Sequence, residues 1–419
     1  GYHSAGIGGS DGQDGQVTIT GGEITATGGN GAAGIGGGAG DTDAVGGDGD
    51  VTISGGTITA TGGSLGAGIG GGAYGNGTVT VTDGDITAKA TGRYGAGIGG
   101  GYGAKPKPSG TLIGGNGTVT ISGGTITEAS GGYMAAGIGS GYQGLGTVTI
   151  EGDAVIKNAQ GGEAGAGIGS GSDGDSEIII RDNAVIENAE SKTGGAGIGS
   201  GQGFYYYEDD DGLLVIDRTV GNVTIEGNAK IENAKSGYGG SGIGGGAIGI
   251  GNVIIRGNAQ IGNAIGGEEG AGIGGGALGT GDVTIEGNVT IENAQGGAGA
   301  AGIGGGAETE PDTEDTRNKV SIKSTEAGSP NITAAGGGVL NDENAPLAGA
   351  AAIGSGSVAD GATEVKSDIT IEGKVTINAT SGGDVAIGDS TNGETQFSGL
   401  QVGTKITRRN AKGDDVSQP

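Results

Sequence analysis

The chain has 419 residues, including 112 glycines, two phenylalanines, one histidine and no cysteine or tryptophan. So few large apolar side chains cannot fill a wide globular core, and with His3 as the one histidine and no cysteine, Ser/Cys triads and zinc sites are excluded. The net charge of −28 argues against nucleic acid and anionic membranes as partners, and no apolar run is long enough for membrane insertion.

A glycine-flanked isoleucine recurs along almost the whole chain, as in the stretch from Ala67 to Gly72. The step is 30 residues where the pattern is plainest, as from Ile138 to Ile168, and a fixed period of this length indicates a repeat array. Because glycine has no side chain, each copy is predicted to be a flat strand that buries its isoleucine and leaves bare backbone outside. The copies are Ile7, Ile35, Ile69, Ile98, Ile138, Ile168, Ile198, Ile243, Ile273, Ile303, Ile353 and Ile387.

Two further strands are predicted in each repeat. The first is of the Val-Thr-Ile type, as from Val17 to Ile19, and the second begins at an isoleucine such as Ile24 or Ile58. Apolar and polar residues alternate in both, which is typical of half-buried strands, and glycine or Asn/Asp turns separate them. The sequence therefore predicts an all-β fold, a right-handed three-sided parallel β-solenoid of about twelve coils of roughly 30 residues.

Four regions differ along the predicted solenoid. Residues 1–143 form threonine-rich coils, residues 144–306 carry an asparagine in each second strand, and residues 307–387 form irregular coils with insertions. Residues 388–419 are predicted to be a C-terminal cap and tail. The apolar residues expected to cover the open end of the core are Phe397, Leu400, Val402 and Ile406.

Two ladders of side chains are predicted along the coils of residues 144–306. Asparagines replace Ala26 and Ala60, which alternation points inward, so their stacked amides are expected to hydrogen-bond inside the rod. These asparagines are Asn158, Asn188, Asn233, Asn263 and Asn293. The second ladder consists of surface charges that alternate in sign and fix the register of the coils. Its members are Glu151, Arg181, Glu226, Arg256 and Glu286.

The insertions leave the solenoid from one corner, between the third strand of one coil and the first strand of the next. Aromatic residues gather at this corner, and insertions on one side of a solenoid often mark its working side. Either sugar rings stack on these aromatics, or the tyrosines cover glycine backbone. The candidate ligand-binding residues are Tyr74, Tyr102, Tyr142, Phe204, Tyr205, Tyr206 and Tyr207. The opposite end of the third strand is predicted to carry Tyr2, Tyr94, Tyr133 and Tyr238.

Turns rich in glycine and aspartate suggest a bound Ca²⁺, since carboxylate oxygens are the ligands that calcium prefers. No other cofactor is expected. The candidate calcium ligands are Asp173, Asp175, Asp209, Asp210 and Asp211.

The chain begins in the middle of a coil, near Ile7, and we interpret it as part of a longer protein. A parallel ladder that ends abruptly exposes unpaired backbone groups and is a template for association. We therefore expect the first coil to be disordered, or to self-associate with the same end of a second molecule.

The motifs from Val51 to Gly63 and from Gly66 to Gly72 resemble glycine-rich repeats of bacterial cell-surface proteins. The resemblance covers nearly the whole chain. It implies a parallel β-helix of an exported, adhesin-like protein, in a group of which some members are described as carbohydrate-binding. It also implies an extracellular location, at the bacterial surface or secreted, and a polysaccharide or host cell-surface glycan as partner.

The sequence favours two functions. The first is a non-enzymatic surface rod that adheres or binds glycans through the Tyr- and acid-rich corner, and the second is a structural stalk that spaces other domains. A β-helix enzyme such as a polysaccharide lyase needs converging carboxylates with Arg or Lys, whereas the acids here are spread as ladders. An ice-binding solenoid needs a long flat threonine array, and the pairs beginning at Thr25 and Thr59 are followed by Lys89 and Glu128. Both are therefore less favoured.

Overall fold

The computed structural model describes residues 2–40, 46–103, 115–207, 214–308, 317–339, 349–357, 366–389 and 395–416. Within these ranges the chain consists of strands and turns, without a helix. Each coil contains a first, a second and a third strand in chain order, and each strand pairs in parallel with its counterparts in the neighbouring coils. The fold is an all-β parallel β-solenoid, as the sequence predicts.

The third strands are two residues long and form a 12-stranded sheet. They are Ile7–Gly8, Ile35–Gly36, Ile69–Gly70, Ile98–Gly99, Ile138–Gly139, Ile168–Gly169, Ile198–Gly199, Ile243–Gly244, Ile273–Gly274, Ile303–Gly304, Ile353–Gly354 and Ile387–Gly388.

The first and second strands together form a 23-stranded sheet. In two coils a single strand runs through both positions: Gly49–Gly62 and Gly77–Ala90. The other first strands are Gly15–Ile19, Gly117–Ile121, Gly146–Ile150, Ser176–Ile180, Thr219–Ile225, Gly249–Gly257, Gly281–Gly287, Asn318–Lys323, Ser367–Glu372 and Gln396–Ser398. The other second strands are Glu23–Thr27, Thr125–Ser130, Val155–Ile156 with Ala159–Gln160, Val185–Ser191, Lys230–Ser236, Gln260–Ile265, Thr290–Gln295, Asn331–Ala335, Thr376–Thr380 and Lys405–Arg409.

The core is a set of apolar columns that run along the rod. In one coil Val51 and Ile53 come from the first strand, Ile58 and Ala60 from the second, and Ile69 from the third, and all are buried. Pairing is in register, so each of these side chains stacks on its counterpart in the next coil. Burial of one Val or Ile side chain stabilises the fold by about 1.5–3 kcal/mol, so repetition allows a narrow core to hold the rod together.

The glycine after each third-strand isoleucine has a steric role. Gly70 has a φ of +129°, and a Cβ added to it would lie 2.0 Å from the carbonyl oxygen of Gly99 in the next coil. The corresponding glycines of all twelve third strands have φ between +128° and +145°. Only glycine combines this backbone conformation with so close an approach between coils, which explains the recurring Ile-Gly pair.

The third side of the rod is covered, whereas its glycines predict bare backbone on the outside. Residues 68–72 are all buried. The segments that precede and follow the third strand come together: the amide of Tyr102 donates to the carbonyl of Leu65 at 2.8 Å, and that of Tyr142 to the carbonyl of Tyr94 at 3.0 Å. Because the strand is only two residues long, its flanking segments lie close enough to pair and to cover it.

The asparagine ladder forms, but its position differs from the prediction. The amide nitrogen of Asn233 donates to the side-chain oxygen of Asn188 at 3.2 Å, and that of Asn263 to Asn233 at 3.1 Å. These asparagines are half-buried, whereas Ala234 and Ala264, which follow them, are fully buried. The assignment of the asparagines to the inward positions is therefore wrong.

A bulge explains why alternation misplaced the asparagines. Ile126 pairs with Ile86 and Ala129 with Ala88. The strand of Ile126 therefore advances three residues over a distance in which the neighbouring strand advances two. The register shifts between Ile126 and Glu128. One added residue lies within the second strand, so the inward column continues as alanine. The turn before this strand also gains a residue, since Ile121 and Ile126 are five residues apart and their partners Ile150 and Ile156 are six apart.

The charge ladder is present on the surface. The Nε of Arg181 donates to Glu151 at 2.8 Å and that of Arg256 to Glu226 at 2.7 Å, while Arg256 also pairs in register with Glu286. Exposed pairs of this kind contribute at most about 1 kcal/mol each, so their principal effect is on register.

A second amide ladder, not predicted from the sequence, runs along the turn between the first and second strands. Asn228 donates to Asn183 at 3.1 Å, Asn258 to Asn228 at 3.0 Å and Asn288 to Asn258 at 3.2 Å. The recurrence of Gly-Asn at 30-residue spacing was the available signal, as at Asn228 and Asn258.

The first coil has the same strands as the others, and Ile7 pairs in register with Ile35. The alternative of a disordered first coil is therefore wrong. Ile7 is 36% exposed, and self-association through this end remains a prediction.

The C-terminal segment adds two more strands to the ladder before it turns back. Ile406 and Val416 pack against the core, and the C-terminal cap stays a prediction. Leu400 and Val402 do not cover it, because they lie in the connecting segment and are 45% and 100% exposed.

Replacement of Gly70 by alanine is expected to lower the free energy of unfolding by about 1–3 kcal/mol or more, because the new Cβ meets a carbonyl and φ is left-handed. Gly21→Ala is the matched control, since no atom lies within 4 Å of the added Cβ. Thermal melts followed by circular dichroism measure both. Equal melting temperatures for the two variants would contradict the steric role of Gly70.

The positions of Asn233 and Ala234 are tested as a pair. Asn233→Ala removes a half-buried hydrogen bond and is expected to cost about 1 kcal/mol, whereas Ala234→Asn places an unpaired amide in the core and is expected to cost about 2 kcal/mol or more. Urea unfolding measures both. A larger loss for Asn233→Ala would show that the asparagine, not the alanine, points inward.

Candidate functional site

Four tyrosines form a cluster on the covered third side of the rod. Tyr102 is at its centre, with ring centroids 4.9 Å from Tyr74, 4.7 Å from Tyr94 and 6.0 Å from Tyr142. The rings of Tyr102 and Tyr142 are parallel to within 2°, and Tyr94 lies 5.3 Å from Tyr142. All four side chains are half-buried. We call this group the four-tyrosine cluster.

The structure brings together three predicted site residues and one that was assigned elsewhere. Tyr94 was placed at the opposite end of the third strand from Tyr102, but their rings touch. The cause is the pairing of the segments that flank the short third strand, which closes the distance between its two ends. Tyr133 and Tyr238 remain 50% exposed.

A polar margin adjoins the cluster at the corner of the coil. Tyr74, Gln143 and Asp173 are each the fifth residue after a third-strand isoleucine, and each has a left-handed φ of +58° to +60°. They therefore occupy equivalent places in their coils. The amide nitrogen of Gln143 donates to the carboxylate of Asp173 at 2.6 Å. Aromatic rings beside an oriented amide and carboxylate are a combination that binds polyhydroxylated ligands.

Two phenols of the cluster, those of Tyr102 and Tyr142, are held in their neutral form. Burial is the largest cause that raises the pKa of Tyr142 to about 12, followed by the nearby Asp173, Tyr102 and Tyr94. Burial also raises the pKa of Tyr102, with contributions from Tyr74 and Tyr94. A neutral phenol both donates and accepts a hydrogen bond, so the cluster offers apolar ring surface together with hydroxyl groups.

The second set of predicted aromatics lies on a hairpin that leaves the same corner. Phe204–Tyr207 pairs antiparallel with Leu214–Asp217, and the amide of Gly203 donates to the carbonyl of Ala247 at 2.8 Å. Phe204 is half-buried, and no described ring contact joins it to the four-tyrosine cluster. The backbone of Tyr205, Tyr206 and Tyr207 belongs to this hairpin.

The candidate calcium ligands do not form a described metal site. Asp209 to Asp211 lie outside the described residues. Asp173 accepts the hydrogen bond from Gln143, and Asp175 accepts one from the amide of Val220 at 2.8 Å. In the part of the chain that the structure describes, no group of three or more His, Cys, Asp or Glu is placed to hold a metal ion. Calcium binding stays a prediction.

Four segments of the chain match the Beta helix repeat family: residues 17–39, 51–73, 119–142 and 148–172. Each match begins in a first strand and ends just after a third strand, so the family's repeat corresponds to one coil. No curated protein and no solved structure matches the chain. Within the described ranges no helix is long and apolar enough to cross a membrane.

The pKa of Tyr142 has a consequence for stability at high pH. The phenol ionises near 10.0 in the unfolded chain and near 12 in the folded one, so between these values the unfolded state binds fewer protons and stability falls as pH rises. Urea unfolding from about pH 9 to about pH 12 should therefore show that the free energy of unfolding falls more steeply with pH for the wild type than for Tyr142→Phe. Tyr133→Phe is the control for losing a phenol elsewhere. Identical slopes for wild type and Tyr142→Phe would contradict the raised pKa.

Proposed function

We propose that this protein is a non-enzymatic extracellular rod, at a bacterial surface or secreted, that binds a polysaccharide or cell-surface glycan at the four-tyrosine cluster. The observation that carries the proposal is the contact of four half-buried rings on one side of the solenoid. Sugar rings present apolar C–H faces that stack on aromatic side chains, and their hydroxyls pair with amides, carboxylates and phenols. Gln143 and Asp173 supply such groups beside the rings.

The arrangement of the described acids supports the non-enzymatic part of the proposal. General acid–base cleavage of a glycan needs two carboxylates that face one bond. Glu151 and Glu226 instead pair with Arg181 and Arg256 on the outside of the first strands. Asp173 is bonded to Gln143 at the edge of the cluster. These groups are suited to fixing the register and to binding.

A structural stalk is the second candidate, favoured by the uninterrupted ladder of twelve third strands. In that case the tyrosines serve only to cover the glycine backbone of the third side, as the pairing of Tyr102 with Leu65 allows. The two functions differ in one measurable property, because only the first requires a ligand.

A glycan array followed by titration calorimetry tests the proposal. Tyr102→Ala and Tyr142→Ala are expected to weaken binding at least about fivefold each, since loss of a stacked ring costs about 1 kcal/mol or more. Tyr238→Ala, which removes an exposed tyrosine outside the cluster, should leave affinity unchanged. Circular dichroism confirms that each variant is folded. A folded wild type that binds no glycan on the array would favour the stalk.

A further inference from the structure

We propose that the ligand of the four-tyrosine cluster is a neutral, extended polysaccharide chain that lies parallel to the rod axis across at least three coils. This inference rests on the proposed function and specifies its ligand. It follows from the direction of the row of rings, from their spacing and from the charge around them.

The direction comes from the coils that supply the rings. Tyr74, Tyr102 and Tyr142 follow the third strands of three successive coils. The amide of Tyr74 donates to the carbonyl of Tyr102 at 2.8 Å, as expected of equivalent segments stacked along the ladder. The three rings therefore form a row that runs along the axis of the rod and not around its circumference.

The spacing of that row suits a polymer. Successive ring centroids are 4.9 Å and 6.0 Å apart, close to the strand spacing of about 4.8 Å that sets the rise of each coil. A pyranose unit in a straight, equatorially linked chain extends over a similar length. A chain parallel to the axis thus places about one sugar on each coil and follows the whole row, whereas a chain across the axis meets at most two rings, those of Tyr94 and Tyr102.

The charge around the cluster favours a neutral chain. Asp173 is next to Tyr142 and contributes to its raised pKa, and the whole chain carries a net charge of −28. Arg93, beside Tyr94 in sequence, is exposed and offsets one negative charge. A polymer with a carboxylate on each sugar would be repelled by this field, whereas neutral hydroxyls can pair with the phenols and with Gln143.

Length dependence is the decisive measurement. Calorimetry would use oligomers of two to six sugars from neutral β-1,4-linked glucans, mannans, xylans and chitin, and galacturonate oligomers of the same lengths. We expect the Kd of the best neutral series to fall at least about tenfold from the dimer to the tetramer and then to level, because the longer oligomers reach all three rings of the row whereas the dimer reaches two. Galacturonate oligomers should bind at least about tenfold more weakly at low salt, with a smaller difference at high salt.

Variants at the end of the row localise the effect. Tyr74→Ala should reduce affinity for the hexamer at least about threefold more than affinity for the dimer, because only the longer ligand reaches it. Tyr74→Leu keeps apolar contact with the small cluster of Ala32, Ala39 and Ala73 but lacks the aromatic ring. If the sugar contacts the ring, this variant should also lose more affinity for the hexamer than for the dimer. Tyr238→Ala is the control.

The outcomes separate this inference from the function on which it rests. Equal affinity for dimer and hexamer, or preference for galacturonate, would overturn the axial neutral chain while glycan binding itself stands. If no glycan binds the folded protein, both fail. A length-dependent gain that Tyr74→Leu abolishes supports the inference.

Discussion

The close approach of backbone between successive third strands is the constraint on which the structure depends. The carbonyl oxygen of Gly99 occupies the space where a Cβ on Gly70 would lie. A side chain is thereby excluded from the glycine position of each third strand. The isoleucine before it points into the core. A glycine content that in another chain indicates disorder here permits dense stacking of a parallel ladder.

Stacking in register also determines what the polar residues do. A residue that recurs every 30 positions meets its own copy in the next coil, so amides and charges become ladders. Asn258 bonds to Asn228 in a turn, Asn263 bonds to Asn233 beside the core, and Arg256 bonds to Glu226 outside it. Each ladder penalises a shift of one coil against the next, because the shift would separate all of its pairs.

The shortness of the third strand creates the candidate site. With only two residues paired, the segments on both sides of the strand are close enough to bond to each other, as Tyr142 does with Tyr94. Aromatic side chains on either segment then meet above a covered glycine backbone. The third side of the solenoid has the shortest strands and the fewest side chains on them. It is therefore the side on which a large aromatic surface can assemble.

The sequence by itself determined the period, the three strands of each coil and the valine and isoleucine columns of the core, because these depend only on local alternation and on the spacing of isoleucine and glycine. It also located Tyr74, Tyr102 and Tyr142 at one corner. Only the tertiary structure decided that Ala234 and not Asn233 points inward, since a bulge changes alternation without changing composition. Only the tertiary structure added Tyr94 to the cluster, because the contact depends on hydrogen bonds between segments of different coils that no local pattern encodes.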